Sequence, residues 1–163
     1  MALTVEDGSK PAGSNCYISV ADADAYHLAR DGTVWAAATT GVKEAAILRA
    51  TDWLNSKEWG TGTPLHDDSS MAWPRTGAVS PSGGAYPSTA VPQAVVMACA
   101  EVAGAIVSGS DPLAVQDRAI NALTVGPIST VYDPASPQGP RLPAAMALLK
   151  GWVLTGGTIR LVR

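Results

Sequence analysis

The strongest pattern of hydrophobic and polar positions lies over residues 92–108, PQAVVMACAEVAGAIVS. At 3.6 residues per turn, Gln93, Met97, Glu101, Gly104 and Ser108 fall on one narrow, partly polar stripe. Val95, Val96, Ala98, Cys99, Val102, Ala103, Ile106 and Val107 cover the rest of the circumference. A helix apolar on most sides packs on several neighbours, so this segment is predicted to be the central core helix. Pro92 suits its first position and Gly109 its stop. It is too short for a membrane span, and Gln93 and Glu101 interrupt it. Ala98, Ala103, Gly104 and Ala105 are small enough to let neighbouring helices come close.

The same periodicity predicts three further helices. The first covers residues 20–30, capped by Ser19 with Asp22 three residues on, in the manner of a capping box. Ala21, Ala25, Leu28 and Ala29 share its expected inner face, with Tyr26 beside them. Asp31-Gly32 ends it, and a short turn or helix at residues 33–38 carries Trp35. The second long helix covers residues 42–56, with Thr39 or Thr40 as cap and Glu44 in its first turn. Its apolar stripe is Ala46, Ile47, Ala50, Trp53 and Leu54. The last helix covers residues 143–154, opened by Pro143, with Ala145, Leu148, Leu149 and Trp152 on one face and Gly156-Gly157 after it. Period-two alternation is weaker. Residues 118–132 read as two short strands about Gly126-Pro127, and residues 158–163 alternate like a strand with no neighbour to pair with.

Between these elements the chain is irregular. Residues 1–13 have no sustained period and are expected to form a short strand at most, then a flexible arm. Residues 57–90 form a long loop rich in Gly, Pro and Ser, and loops of that length inside one domain are usually functional or mobile. It holds one island, Ala72-Trp73-Pro74-Arg75, in which Pro74 forces Trp73 out of helical geometry. The expected fold is therefore one mainly α domain over residues 1–163. It is a small helical bundle with a long central loop, a short β-hairpin and an extended tail at residues 155–163.

Composition adds three points. Only 15% of residues are charged, which suggests surface that is covered in the working state. Residues 1–110 carry six Lys or Arg against eleven acids, a net of −5, while residues 111–163 carry five against three, a net of +2. No basic cluster of the kind that drives non-specific nucleic-acid binding is present. Two cysteines, Cys16 and Cys99, make no disulfide framework and fit a reducing setting. The polar start of the chain lacks the apolar stretch of a signal peptide.

Candidate chemistry is thin. His66-Asp67-Asp68 lacks the second ligand pair of a metal site and reads as a solvated loop. His27 near Asp24 and Asp31, or with Cys16, has no nucleophile–base spacing to support catalysis. Gly60-Thr61-Gly62-Thr63 and Gly83-Gly84 have no P-loop lysine after them. Trp73 and Arg75 could stack on single-stranded bases; the plainer reading docks Trp73 into the core and pairs Arg75 with an acid. No enzyme activity, cofactor or metal is expected.

Several short stretches, in order, resemble one family: Ser14-Asn15-Cys16-Tyr17-Ile18-Ser19, Ala23-Asp24-Ala25-Tyr26, Trp35, Lys43-Glu44-Ala45-Ala46-Ile47-Leu48-Arg49-Ala50-Thr51, Ala72-Trp73-Pro74-Arg75, Val91-Pro92 with Ala98, and Gly126-Pro127-Ile128 with Tyr132. Together they are similar to the head–tail adaptor, or connector, proteins of tailed bacteriophages, some of whose relatives are labelled DnaT-like single-stranded-DNA-binding proteins. Cys16 stands where that family more often has Ser or Thr. The resemblance implies a structural virion protein of the neck, made in the bacterial host cytoplasm. It would form a homo-oligomeric ring, a dodecamer, beneath the portal protein, with a role in viral genome packaging. The ring would extend the channel for double-stranded DNA and receive a downstream neck, stopper or tail protein, with no membrane partner. The candidate interface is Trp73, Pro74 and Arg75 together with the tail residues Ile159, Arg160, Leu161, Val162 and Arg163. The rival expectation is a DnaT-like, single-stranded-DNA-binding replication protein.

Overall fold

The computed structural model describes residues 2–65, 71–114, 122–125, 128–131 and 142–154. Among them are five helices: α1 (Val20–Leu28), α2 (Thr33–Ala37), α3 (Thr40–Asn55), α4 (Gln93–Val107) and α5 (Pro143–Leu148). Two antiparallel pairs accompany them. β1 (Thr63–Pro64) pairs with β2 (Arg75–Thr76), and β3 (Ala122–Val125) pairs with β4 (Ile128–Val131). The fold is mainly helical, as the periodicity predicts. The second pair has Ala122 opposite Val131 and Val125 opposite Ile128, which is the expected hairpin. The two-residue pair β1–β2 has no period to announce it.

α3 and α4 form the centre, and α5 packs on α4. Ala46, Ile47, Ala50, Thr51 and Leu54 of α3 are buried, as are Val95, Ala98, Cys99, Val102 and Ala103 of α4. Alanines at the crossing let the two backbones approach, and the larger residues beside them fill the space. The thiol of Cys99 lies 3.7 Å from the hydroxyl of Thr51, which also donates to the carbonyl of Ile47. A buried hydroxyl inside a helix is satisfied in this way by the preceding turn.

α1 is turned differently from its apolar stripe. Ser19 caps it, accepting from the Asp22 N–H at 3.1 Å, and its hydroxyl donates to the Asp22 carboxylate at 2.6 Å. The buried residues are Ala23 and His27, while Ala21, Ala25, Leu28 and Ala29 face outward. The expected inner face is thus the outer one. The reason is His27, whose ring stacks on Trp35 of α2 at 4.5 Å and reaches the Ala100 carbonyl at 3.0 Å. A flat, partly polar ring with a stacking partner and an acceptor takes the inward position ahead of a leucine with neither. Asp31, at φ +55°, then ends the segment in the left-handed region, and the Gly32 N–H returns to the His27 carbonyl.

Two further expectations are corrected. Residues 2–13 are not a free arm. Val5 bridges to Cys16, the Glu6 N–H donates to the Cys16 carbonyl, and the Asn15 side chain is tied to Ala2 and Thr4. The Glu6 carboxylate, 1% exposed, accepts from the N–H groups of Gly8 and Lys10 and from the Ser14 hydroxyl. A buried acid gathers donors around itself, and a loop built that way needs no hydrophobic period. The last helix is also shorter than residues 143–154. α5 stops at Leu148, Gly151 adopts φ +84°, and the turn returns Trp152 and Val153 to the core beside Trp59. The tail at residues 155–163 lies outside the described residues.

Candidate nucleic-acid interface

The long loop closes over the C-terminal end of α3, and the groove between them is the best placed candidate site. Its cavity volume is about 330 Å³, and it is lined by Asn55, Lys57, Trp59, Pro64, Met71, Ala72 and Arg75. Among the described residues that line it, none is acidic. Asn55 ends α3 and Lys57 follows its cap. The Lys57 ammonium sits 3.9 Å from the centre of the Trp53 ring, one helical turn back. Desolvation there lowers the Lys57 pKa from its ordinary value.

Hydrogen bonds fix the groove wall. The Tyr17 hydroxyl donates to the Asn55 side-chain oxygen at 2.7 Å and accepts from the Trp73 N–H at 3.1 Å. The same Asn55 oxygen accepts from the Ala72 N–H at 2.9 Å. Tyr17 and Asn55 thereby join the chain's early Ser14–Ser19 stretch to the Ala72–Arg75 island. The Trp73–Pro74 peptide is cis.

Trp73, Pro74 and Arg75 all lie inside the subunit. Trp73 is 0% exposed and meets Trp59, Tyr86 and Trp152 edge-to-face at 5.6, 5.9 and 5.4 Å. It is a core residue, unable to stack on an external base. Arg75 is 7% exposed and donates to the carbonyls of Thr61, Ala72 and Gly62. Its guanidinium is the brace that holds the loop. Ile159, Arg160, Leu161, Val162 and Arg163 lie outside the described residues, as do His66, Asp67 and Asp68. The sequence reading places Trp53 on an apolar stripe but misses its pairing with Lys57, although their i, i+4 spacing at a helix end is a signal for such a pair.

The other candidates Cys16, Cys99 and His27 are buried. Burial pushes the Cys16 thiol up to about 11 and the Cys99 thiol up to about 12, so both stay protonated. Burial likewise lowers the His27 pKa below its ordinary value, and its ring is held by Trp35 and Ala100. Among the described residues no group of three or more His, Cys, Asp or Glu could hold a metal ion. No helix among them is long and apolar enough to cross a membrane. A second groove, about 520 Å³, carries Glu6, Asp7 and Asp22 in its wall and repels phosphate.

A cation beside an indole and a side-chain amide offers the parts of a short nucleotide contact: a counter-charge for phosphate, an apolar face and a hydrogen-bonding edge. Trp59 shows little surface, so the groove presents edges of its rings rather than an open platform.

Comparison with curated proteins and with solved structures gives no match. The model of the family described as "Putative DnaT-like ssDNA binding protein" matches residues 1–163. This corrects the expectation of a virion connector. The match is to the family named in the rival expectation, and the descriptors of a phage neck, portal-binding dodecamer and genome-packaging part fall with it. The chain belongs to the DnaT-like ssDNA binding protein family.

Proposed function

We propose that this chain binds single-stranded DNA, and that the groove of Asn55, Lys57, Trp59 and Arg75 is where it does so. The observation that carries the reading is the match of the family model over the whole length of the chain. The groove supports it with the Lys57 ammonium and no acid among its described lining residues. Net charge limits the contact. With −5 over residues 1–110, the protein repels a long phosphate backbone, and the contact is confined to one or two phosphates. On this reading the chain turns over no substrate and requires no cofactor.

The test is fluorescence anisotropy of a labelled deoxythymidine oligomer at low salt, with the same sequence as a duplex for comparison. The expected result is saturable binding of the single strand, weaker binding of the duplex, and loss of affinity in Lys57→Glu with melting unchanged. Equal affinity for the duplex, or no binding at low salt, overturns the proposal. Full binding by Lys57→Glu moves the site elsewhere on the chain.

A further inference from the structure

The outward stripe of α1 borders a cavity of about 510 Å³ between α1, α2 and the start of α3. Its wall includes Asp24, Leu28, Asp31, Trp35, Ala36 and Lys43. Leu28 is 83% exposed, the most exposed large hydrophobic side chain among the described residues, and Ala25 beside it also lines the cavity. The acids at the rim differ. Asp24 is already matched, by the Lys43 ammonium at 2.9 Å and the Trp35 indole N–H at 2.7 Å. Asp31 pairs with no cation among the described residues, and its left-handed backbone turns it out at the end of the helix. An apolar cavity with one unmatched carboxylate on its edge fits a segment that offers branched apolar side chains next to a cation.

The chain contains such a segment. Residues 159–163, Ile159-Arg160-Leu161-Val162-Arg163, interleave three branched apolar residues with two arginines. In an extended chain Ile159, Leu161 and Arg163 fall on one side. We propose that this segment of one copy docks into the α1–α2–α3 cavity of a second copy. Ile159 and Leu161 enter beside Leu28, and Arg163 meets Asp31.

Reach favours the second copy over the same one. Lys43 lies in the first turn of α3, whereas the Leu154 N–H bonds to the Glu58 carbonyl just past the other end of that helix. A helix of 16 residues is about 24 Å long. Residues 155–161 span about 24 Å only when fully extended. Docking in the same subunit would need a straight run along α3 through Gly156 and Gly157, whose freedom is costly to remove. A second copy imposes no such constraint. The contact is head-to-tail, so the subunits either close into a ring or leave a free cavity and a free segment at the two ends of an open chain.

Sedimentation velocity on the full chain across a concentration series tests this. The expected result is concentration-dependent self-association. Leu28→Asp and a deletion of residues 158–163 each sediment as monomers. An equimolar mixture of the two forms a one-to-one pair, because one variant keeps the segment and the other keeps the cavity. Leu28 is at the surface, so Leu28→Asp melts like the parent chain and serves as the folded control. If the deletion disturbs folding, the full-length double variant Leu161→Asp, Arg163→Glu takes its place. A full chain that is monomeric throughout overturns the proposal. Variants that still self-associate, or a mixture that does not pair, overturn it equally.

Discussion

The imidazole of His27 occupies the space that a side chain at Gly104 would fill. A Cβ built on Gly104 falls 2.5 Å from His27 Cε1. This explains a glycine inside the central helix, where alanine is ordinarily better by about 1 kcal/mol. Gly104→Ala should therefore destabilise the fold, by about 1–3 kcal/mol, against its helix propensity. Chemical denaturation measures it, and the double variant with His27→Ala should recover part of the loss. A Gly104→Ala chain as stable as the parent would show that His27 does not hold this position.

The same histidine makes stability depend on pH. The Ala100 carbonyl only accepts, so His27 Nε2 carries a proton in this bond. Desolvation holds its pKa below the ordinary value; the Ala100 bond, Glu101 and Asp24 pull upward and Arg30 adds to the lowering. The unfolded chain then takes up the proton first as pH falls through about 6.5. Its contribution is complete above that value and shrinks below it, down to the folded-state pKa. Melting temperature should fall between about pH 7 and pH 5, and His27→Phe, which keeps the stack on Trp35, should flatten that fall. Parallel pH profiles for parent and variant would refute the assignment.

Tyr17→Phe removes one oxygen that serves two partners. It leaves the Trp73 N–H without its acceptor and takes one donor from Asn55. The expected cost is about 1–3 kcal/mol, above the typical net worth of one hydrogen bond. A loss below the lower bound would mean that water enters to replace the hydroxyl.

Trp73→Ala should cost about 3–5 kcal/mol, the range for emptying a buried aromatic site. Any loss of DNA affinity in that variant should track the fraction unfolded. Affinity lost while melting stays unchanged would place Trp73 on the ligand after all.

The salt dependence of DNA binding should be shallow. Each phosphate neutralised on a single strand contributes about −0.7 to the slope of log K against log salt. One or two contacts give a slope near −1 in an anisotropy titration, within about half a unit. A slope several times steeper would require a basic surface that the groove does not supply.

The helices were legible because burial imposes period. The stripe of α3 matches the residues that are buried, and of the apolar surface of α4 Val95, Ala98, Cys99, Val102 and Ala103 are buried while Val96, Ile106 and Val107 are half-buried. α1 was read inside out, because a count of apolar residues ranks Leu28 above His27, and only the Trp35 ring and the Ala100 carbonyl reverse that order. The N-terminal loop was unreadable for a related reason. Its organiser is the carboxylate of Glu6, and polar satisfaction leaves no repeating mark along a chain. Beside the groove, Trp73 and Arg75 stand out by residue type, but their burial depends on Tyr17, Asn55 and three loop carbonyls. Those partners lie 3 to 56 residues away in sequence.

All five tryptophans are buried: Trp35, Trp53, Trp59, Trp73 and Trp152 are between 0% and 7% exposed. The native emission spectrum should therefore be blue-shifted as a whole, with no solvent-exposed component to dilute it. Unfolding moves every fluorophore into water at once and gives a large red shift. A strand bound beside Lys57 reaches only Trp53 and Trp59, so it dims part of the emission without moving its maximum. The interlocked rings of Trp59, Trp73, Tyr86 and Trp152 should also give a strong near-ultraviolet dichroism band, which disappears when the packing loosens even while the helices persist.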